Sequence, residues 1–188
     1  MNQSLIIKKL YGDGLLKNIG YALDLGCGKS TNVLSLASLG FEVDAVDFNN
    51  EIVNALADEL KKEENKSLKI NLFNQKIQEF DIKKEKYDCI IANNSLPLID
   101  SKEKVFEIIK NVVNGLKKDG CLYLTLFGTK DEWVTKKDMS FFEYDEIKNR
   151  LDSLDIKFYH SNIEEGFGKT NAGNIKYWHV FRFIYIKN

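Results

Sequence analysis

Apolar residues change their spacing along this chain, and the changes mark its elements. From Ser4 to Lys17, Leu5, Ile6, Leu10 and Leu15 fall on one face of an amphipathic helix. The short run Tyr21–Leu25 predicts a strand that stops at a glycine turn. Helical spacing returns over Thr31–Leu39, through Val33, Leu34, Leu36 and Ala37, with Gly40 at the stop. Phe41–Val46 predicts a strand ending at Asp47, and Asn50–Lys62 a helix with Ile52, Val53, Leu56, Ala57 and Leu60 on one face. Leu68–Phe73 is strand-like. The runs YDCIIA (Tyr87–Ala92) and CLYLTLF (Cys121–Phe127) are apolar throughout, as strands buried on both faces should be; the Asp119–Gly120 turn opens the second. Between them Lys102–Leu116 predicts a helix with Val105, Phe106, Ile109, Val112, Val113 and Leu116 inward. After a helix over Glu143–Leu154, the alternating segments Ile156–Ile163 and Trp178–Ile186 predict a terminal antiparallel hairpin.

Strands and helices alternate through the first two-thirds of the chain, which implies an α/β fold: a mainly parallel, doubly wound, seven-stranded sheet covered on both faces, with the hairpin at its C-terminal end. Pro97 is the only proline, and there is no Gly/Ser linker or internal repeat, so residues 1–188 read as one domain. Residues 1–20 form an N-terminal helix or cap, and 128–142 is the one candidate for a lid. In such sheets the ligand sits beyond the carboxyl ends of the strands, near the switch in strand order.

Composition narrows the partners. The net charge is −1, which gives no global field to attract nucleic acid or an anionic membrane. Arg150 and Arg182 are the only arginines, so bidentate phosphate or base recognition is poorly supplied. Cys27, Cys89 and Cys121 are scattered within or beside apolar runs, a pattern that frames neither disulfides nor a metal site and fits a cytoplasmic protein. No run approaches the roughly 20 apolar residues of a membrane span, and the N-terminal apolar run is too short for a signal peptide.

The candidate chemistry starts in the turn Asp24–Leu25–Gly26–Cys27–Gly28–Lys29–Ser30–Thr31. Gly26 and Gly28 permit a sharp turn and close backbone approach to a ligand, and the helix that follows points free N–H groups into the same space. Asp47 ends the second strand about 20 residues after Gly26, where a carboxylate can accept both hydroxyls of an adenosine ribose. Gly-x-Gly alone is equally a tight strand–helix turn, and Asp47 alone a solvated turn residue; together in an α/β pattern they specify an adenosine ligand. The dinucleotide fingerprint fails because Thr31 stands where its third glycine belongs, and the Walker A pattern fails because no glycine lies five residues before Gly28.

Four stretches, in order, resemble the motifs of class I S-adenosylmethionine-dependent methyltransferases: ALDLGCGKSTN (Ala22–Asn32), VDAVDFNN (Val43–Asn50), YDCIIANNSLPLI (Tyr87–Ile99) and LKKDGCLYLTLF (Leu116–Phe127). The closing segment from Glu164, and the spacing Gly28-x-x-x-Asn32, are similar to the tellurite-resistance (TehB-like) methyltransferases. The resemblance implies a Rossmann-like fold with S-adenosylmethionine as cofactor and S-adenosylhomocysteine as product. It assigns Asp24, Gly26, Cys27, Gly28, Ser30 and Asn32 to the methionine half, Asp47 to the ribose, Phe48 to the adenine face and Asn93 to the sulfonium end. Where the family often has an acid for the adenine amino group this chain has Lys76, leaving Ile77 and Gln78 to supply those contacts. Lys29–Ser30 replaces the usual small-glycine pair, and Asp119 the usual proline before Gly120.

The cofactor's own chemistry activates the methyl group, so the protein must align an acceptor and exclude water. A soft acceptor needs no general base, and no residue is nominated as catalytic. Asn94, Ser95, Trp133 and His179 are candidates for the acceptor side, each with an ordinary packing or capping role as the alternative. The expected function is methyl transfer to a small molecule, such as a metalloid oxyanion or a thiol, by a monomer or homodimer. The alternatives are a non-catalytic cofactor-binding partner subunit, or a protein or nucleic-acid methyltransferase; Asn94–Ser95–Leu96–Pro97 lacks the amino-DNA methylase signature.

Overall fold

The computed structural model describes residues 4–29, 31–170 and 172–188. Five strands run parallel: β1 (Tyr21–Leu25), β2 (Glu42–Asp47), β3 (Ile70–Asn74), β4 (Tyr87–Ala92) and β5 (Leu116–Gly128). A two-residue strand, β6 (Phe141–Phe142), pairs beside the end of β5. The hairpin strands β7 (Ile156–Lys169) and β8 (Ile175–Lys187) are antiparallel, and β8 inserts next to β5, giving the order β3-β2-β1-β4-β5-β8-β7. The order reverses between β1 and β4, and a crevice opens there at their carboxyl ends. Seven strands and the closing hairpin follow the reading of the sequence. The eighth, β6, is too short to show in any apolar period.

Helices cover both faces. On one, α1 (Leu5–Gly12), α2 (Thr31–Ser38) and α3 (Asn50–Leu60) share a core with Ala22, Val43, Cys89 and Cys121. On the other, α4 (Lys102–Gly115) and α5 (Tyr144–Asp152) pack Ile109, Val113 and Ile147 against Leu23, Ile90 and Leu122. Alternate residues of one strand therefore feed opposite cores, which is why β4 is buried at every position. Among the described residues, no helix is long and apolar enough to cross a membrane.

Three boundaries differ from the sequence reading. The first helix stops at Gly12 rather than Lys17, because Gly14 turns back at a φ of 69° and the Leu15 amide bonds to Leu10. The expected turn at Asp119–Gly120 lies inside β5: Asp119 takes a left-handed φ of 62° where the β4–β5 register shifts between Tyr87 and Cys89. The hairpin is longer than its alternating core because β7 is an edge strand, mostly exposed and carrying charge at Lys157, Glu164 and Glu165.

The segment 128–142 is anchored at both ends. Asp131, fully buried, forms an ion pair with the buried Lys176 of β8 and accepts the backbone N–H groups of Trp133 and His179. The Lys176 ammonium lies 4.2 Å from the Trp133 ring centre and 3.9 Å from that of Trp178. Burial pulls the Lys176 pKa down and Asp131 pushes it back. At the far end Ser140 binds the loop after β4, its N–H donating to the Pro97 carbonyl and its hydroxyl to that of Ile99. Asp131→Ala strands a buried ammonium, so it should lower unfolding free energy by about 3–5 kcal/mol in a denaturant titration; a loss within 1 kcal/mol (about the value of an exposed pair) would disprove this anchoring.

Candidate active site

A cavity of about 750 Å³ fills the crevice, lined from the turns after β1, β2, β3 and β4. It gathers Gly26, Cys27, Gly28, Asn32, Asp47, Phe48, Ile77, Gln78 and Asn93, every lining position expected for a cofactor except the two just below. Asp24 lies at the base of the glycine turn, buried and outside the lining. Ser30 lies outside the described residues.

The glycine turn is fixed by its neighbours. The amides of Gly26 and Cys27 both donate to the Val46 carbonyl, at 2.8 and 3.0 Å, which closes β1's turn against the end of β2. Gly26 has a φ of 72°, and a Cβ there would stand 2.4 Å from the Ser95 Cβ. Asp47 joins the two turns: one carboxylate oxygen accepts the Gly28 N–H at 3.0 Å and the other the Asn49 N–H at 2.9 Å. Each oxygen keeps a lone pair for a further donor. The Asn74 side chain donates to the carbonyls of Asp47 and Phe48, holding the Phe48 ring, 68% exposed, at the cavity edge.

The buried acids separate Asp24 from the rest. Asp44 accepts from Tyr87, Lys86 and Asn71; Asp88 from Tyr21 and Lys117; Asp131 is bonded as described. Neither oxygen of Asp24 has a hydrogen-bond partner among the described residues. Burial pushes its pKa up to about 7, the nearby Asn32 amide pulls the other way, and the Asp47 charge adds to the rise. Burial also raises the Cys27 thiol, followed by the charges of Asp24 and Asp47, so Cys27 lines the site as a neutral thiol.

On the other side, Asn94 takes a left-handed φ of 56°. Its N–H donates to the buried Thr125 hydroxyl, which in turn donates to the Asn94 side-chain oxygen at 3.0 Å. Asn94 and Ser95 line the cavity, but Trp133 and His179 do not. Trp133 packs on Phe127 and Trp178 as part of the Lys176 anchor. His179 is buried on β8, where Nδ1 accepts the Lys130 N–H at 3.1 Å and Nε2 lies 3.3 Å from Glu165. Trp133 sits in a helical turn over Glu132–Thr135 and His179 on β8, and both pack outside the cavity lining rather than on the acceptor side where they were expected. Leu98, Ile99, Asp100, Lys104 and Asp138 line the cavity and were not expected. The first four follow β4, where the switch-point rule places ligand contacts; Asp138 arrives from a remote segment with no local signal.

This glycine turn, spaced acid and sheet order define a Rossmann-like fold of the methyltransferase kind. An S-adenosylmethionine-dependent methyltransferase from Methanosarcina mazei matches with a TM-score of 0.75 at 20% identity, over 100% of this chain and 99% of that one. TehB from Haemophilus influenzae matches with a TM-score of 0.75 at 22% identity, over 96% of this chain and 62% of that one. The family model described as "Tellurite resistance protein TehB" matches residues 15–182, and the chain belongs to that family. In sequence, the probable S-adenosyl-L-methionine-dependent methyltransferase TehB of Haemophilus influenzae is 29% identical over 153 residues, 81% of this chain and 52% of that protein. The chain thus spans about half the length of the curated TehB relatives it matches.

The pKa of Asp24 carries a pH signature. An unfolded aspartate ionises from a pKa of 3.8, whereas folded Asp24 holds its proton to about 7. The native state therefore binds more protons than the unfolded chain in that window, and stability falls as pH rises from about 4 to about 7. Asp24→Asn removes this loss. Its ligand-free stability should match wild type near pH 4 and exceed it by ~2–4 kcal/mol at pH 8; parallel denaturation curves with a pH-independent gap would contradict the assignment.

Proposed function

We propose that this chain binds S-adenosylmethionine in the crevice and transfers its methyl group to a small-molecule acceptor, leaving S-adenosylhomocysteine. The observation that carries the reading is Asp24, a buried carboxylate at the base of a glycine turn whose oxygens have no hydrogen-bond partner among the described residues. Such a group is costly unless a ligand supplies the missing donor, and an amino-acid ammonium is the donor that fits. The rest of the lining suits the same molecule. Gly26 leaves the backbone bare for close approach, Asp47 offers acceptors to ribose hydroxyls, and Phe48 offers a ring face to adenine. Ile77 and Gln78 sit at the adenine edge where Lys76 replaces an acid. When bound, the cofactor supplies an already activated methyl group; the protein's part is to align the acceptor and keep water out.

The carboxylates among the described lining residues are those of Asp47, Asp100 and Asp138, and a soft acceptor can attack the activated methyl group without using any of them as a base. A metalloid oxyanion or a small thiol is the class we infer, in keeping with the family's name, and the lysines at 29, 76 and 104 put cations on the cavity wall. Three buried cysteines without disulfides accord with a cytoplasmic setting.

Isothermal titration of S-adenosylmethionine and S-adenosylhomocysteine into the protein tests the reading. Micromolar binding is expected, and Asp47→Ala should weaken it at least about 30-fold by removing charged acceptors from the ribose site, with circular dichroism confirming that the variant is folded. Absence of binding by folded wild-type protein would refute the proposal.

A further inference from the structure

The N-terminal helix is wired to the cofactor cavity through one buried side chain. Ser4 caps α1, its hydroxyl accepting the Ile7 N–H at 3.5 Å, and is itself only 6% exposed. The same hydroxyl donates to the Asn32 side-chain oxygen at 2.6 Å. The Ser4 backbone N–H donates to the Ser35 hydroxyl at 2.9 Å, and Ser35 donates to the Thr31 carbonyl at 2.7 Å. One residue at the start of α1 thus grips the first turns of α2. Below this polar link, Ile7 and Leu10 pack in the same core as Val33 and Leu36, so the grip and the apolar docking reinforce each other.

Asn32 is where this link meets the site, because it lines the cavity and neighbours Asp24. A primary amide has an acceptor end and a donor end. The Ser4 hydroxyl, already accepting from Ile7, uses its proton on the Asn32 oxygen. The Asn32 NH₂ is then turned toward the side on which Asp24 stands, where it favours the ionised carboxylate, whose oxygens have no hydrogen-bond partner of good geometry among the described residues. Without Ser4 the amide is free to rotate, and its oxygen can face the carboxylate instead.

We propose that Ser4 is a positioning residue for the cofactor site: by orienting the Asn32 amide it fixes the surroundings of Asp24 and couples the docking of α1 to cofactor binding. The inference rests on the reading of the crevice as an S-adenosylmethionine site and adds a residue outside the cavity to it.

Three variants test it by titration with S-adenosylmethionine and by hydrogen exchange of α1. Ser4→Thr keeps the hydroxyl and should bind within about twofold of wild type, since Thr caps helices in the same way. Ser4→Ala should bind about tenfold more weakly, the usual scale of one lost hydrogen bond. Ser4→Asp separates the link from simple helix capping. It remains a strong N-cap but cannot donate to the Asn32 oxygen, so α1 should stay formed while affinity falls as in Ser4→Ala. In wild type, saturating cofactor should slow exchange of the α1 amides, and in Ser4→Asp that added protection should vanish. Wild-type affinity in Ser4→Asp, with α1 protected by cofactor as before, overturns the role of Ser4 alone. No binding by wild type overturns the cofactor reading and this proposal with it.

Discussion

The backbone at Gly26 runs so close to Ser95 that no side chain fits between them. That approach organises the carboxyl-end face of the sheet. With Gly26 seated there, its amide and that of Cys27 reach the Val46 carbonyl, so the turn after β1 is stitched to the end of β2. The stitching brings Gly28 under the Asp47 carboxylate. Ser95 is placed by the turn after β4, where Asn94 adopts a left-handed backbone that Thr125 holds from β5. Four strand ends therefore converge on one contact, and the cavity is the space their turns leave above it. A glycine in this position is a packing requirement as much as a conformational one.

The same convergence explains why an aspartate is kept where stability argues against it. Leu23 and Leu25, on either side of Asp24, are fully buried. The other buried acids show what this fold does with a carboxylate it needs for structure: it surrounds each one with lysines, hydroxyls or backbone amides. Asp24 instead faces the like charge of Asp47, with the Asn32 amide nearby as the group that favours its ionised form, and neither of its oxygens has a hydrogen-bond partner of good geometry among the described residues. A group held in an unfavourable state by an otherwise consistent core is the expected mark of a ligand site, since local rules are broken where function needs them broken.

The part of the cavity built around the glycine turn was legible in the sequence because sequence-local elements build it. Gly26 to Gly28, Asp47 with Phe48, and Asn93 each lie at or just past the end of a strand whose apolar run announces it, and a parallel sheet brings consecutive strand ends to one edge. What was not legible was placed by long-range packing. Trp133 and His179 carry side chains suited to an acceptor pocket, yet their partners are Trp178, Lys130 and the Lys176–Asp131 pair, about 45 residues apart in sequence. Asp138 reaches the cavity for the same reason, from a segment with no period of its own. The shortened first helix and the bulge at Asp119 are failures of a different kind: both turn on single left-handed residues, Gly14 and Asp119, which hydrophobic spacing does not register.

The two ends of the crevice thus differ in how firmly the fold prescribes them. The glycine turn and Asp47 are held by hydrogen bonds between neighbouring strand ends. The opposite wall is held by a buried ion pair under two tryptophans and by Ser140 on the loop after β4. These contacts belong to a connecting segment and a terminal hairpin, elements that can change length without disturbing the parallel sheet. The Asp131–Lys176 pair, though outside the cavity, thereby holds the segment that carries Asp138 to the cavity wall.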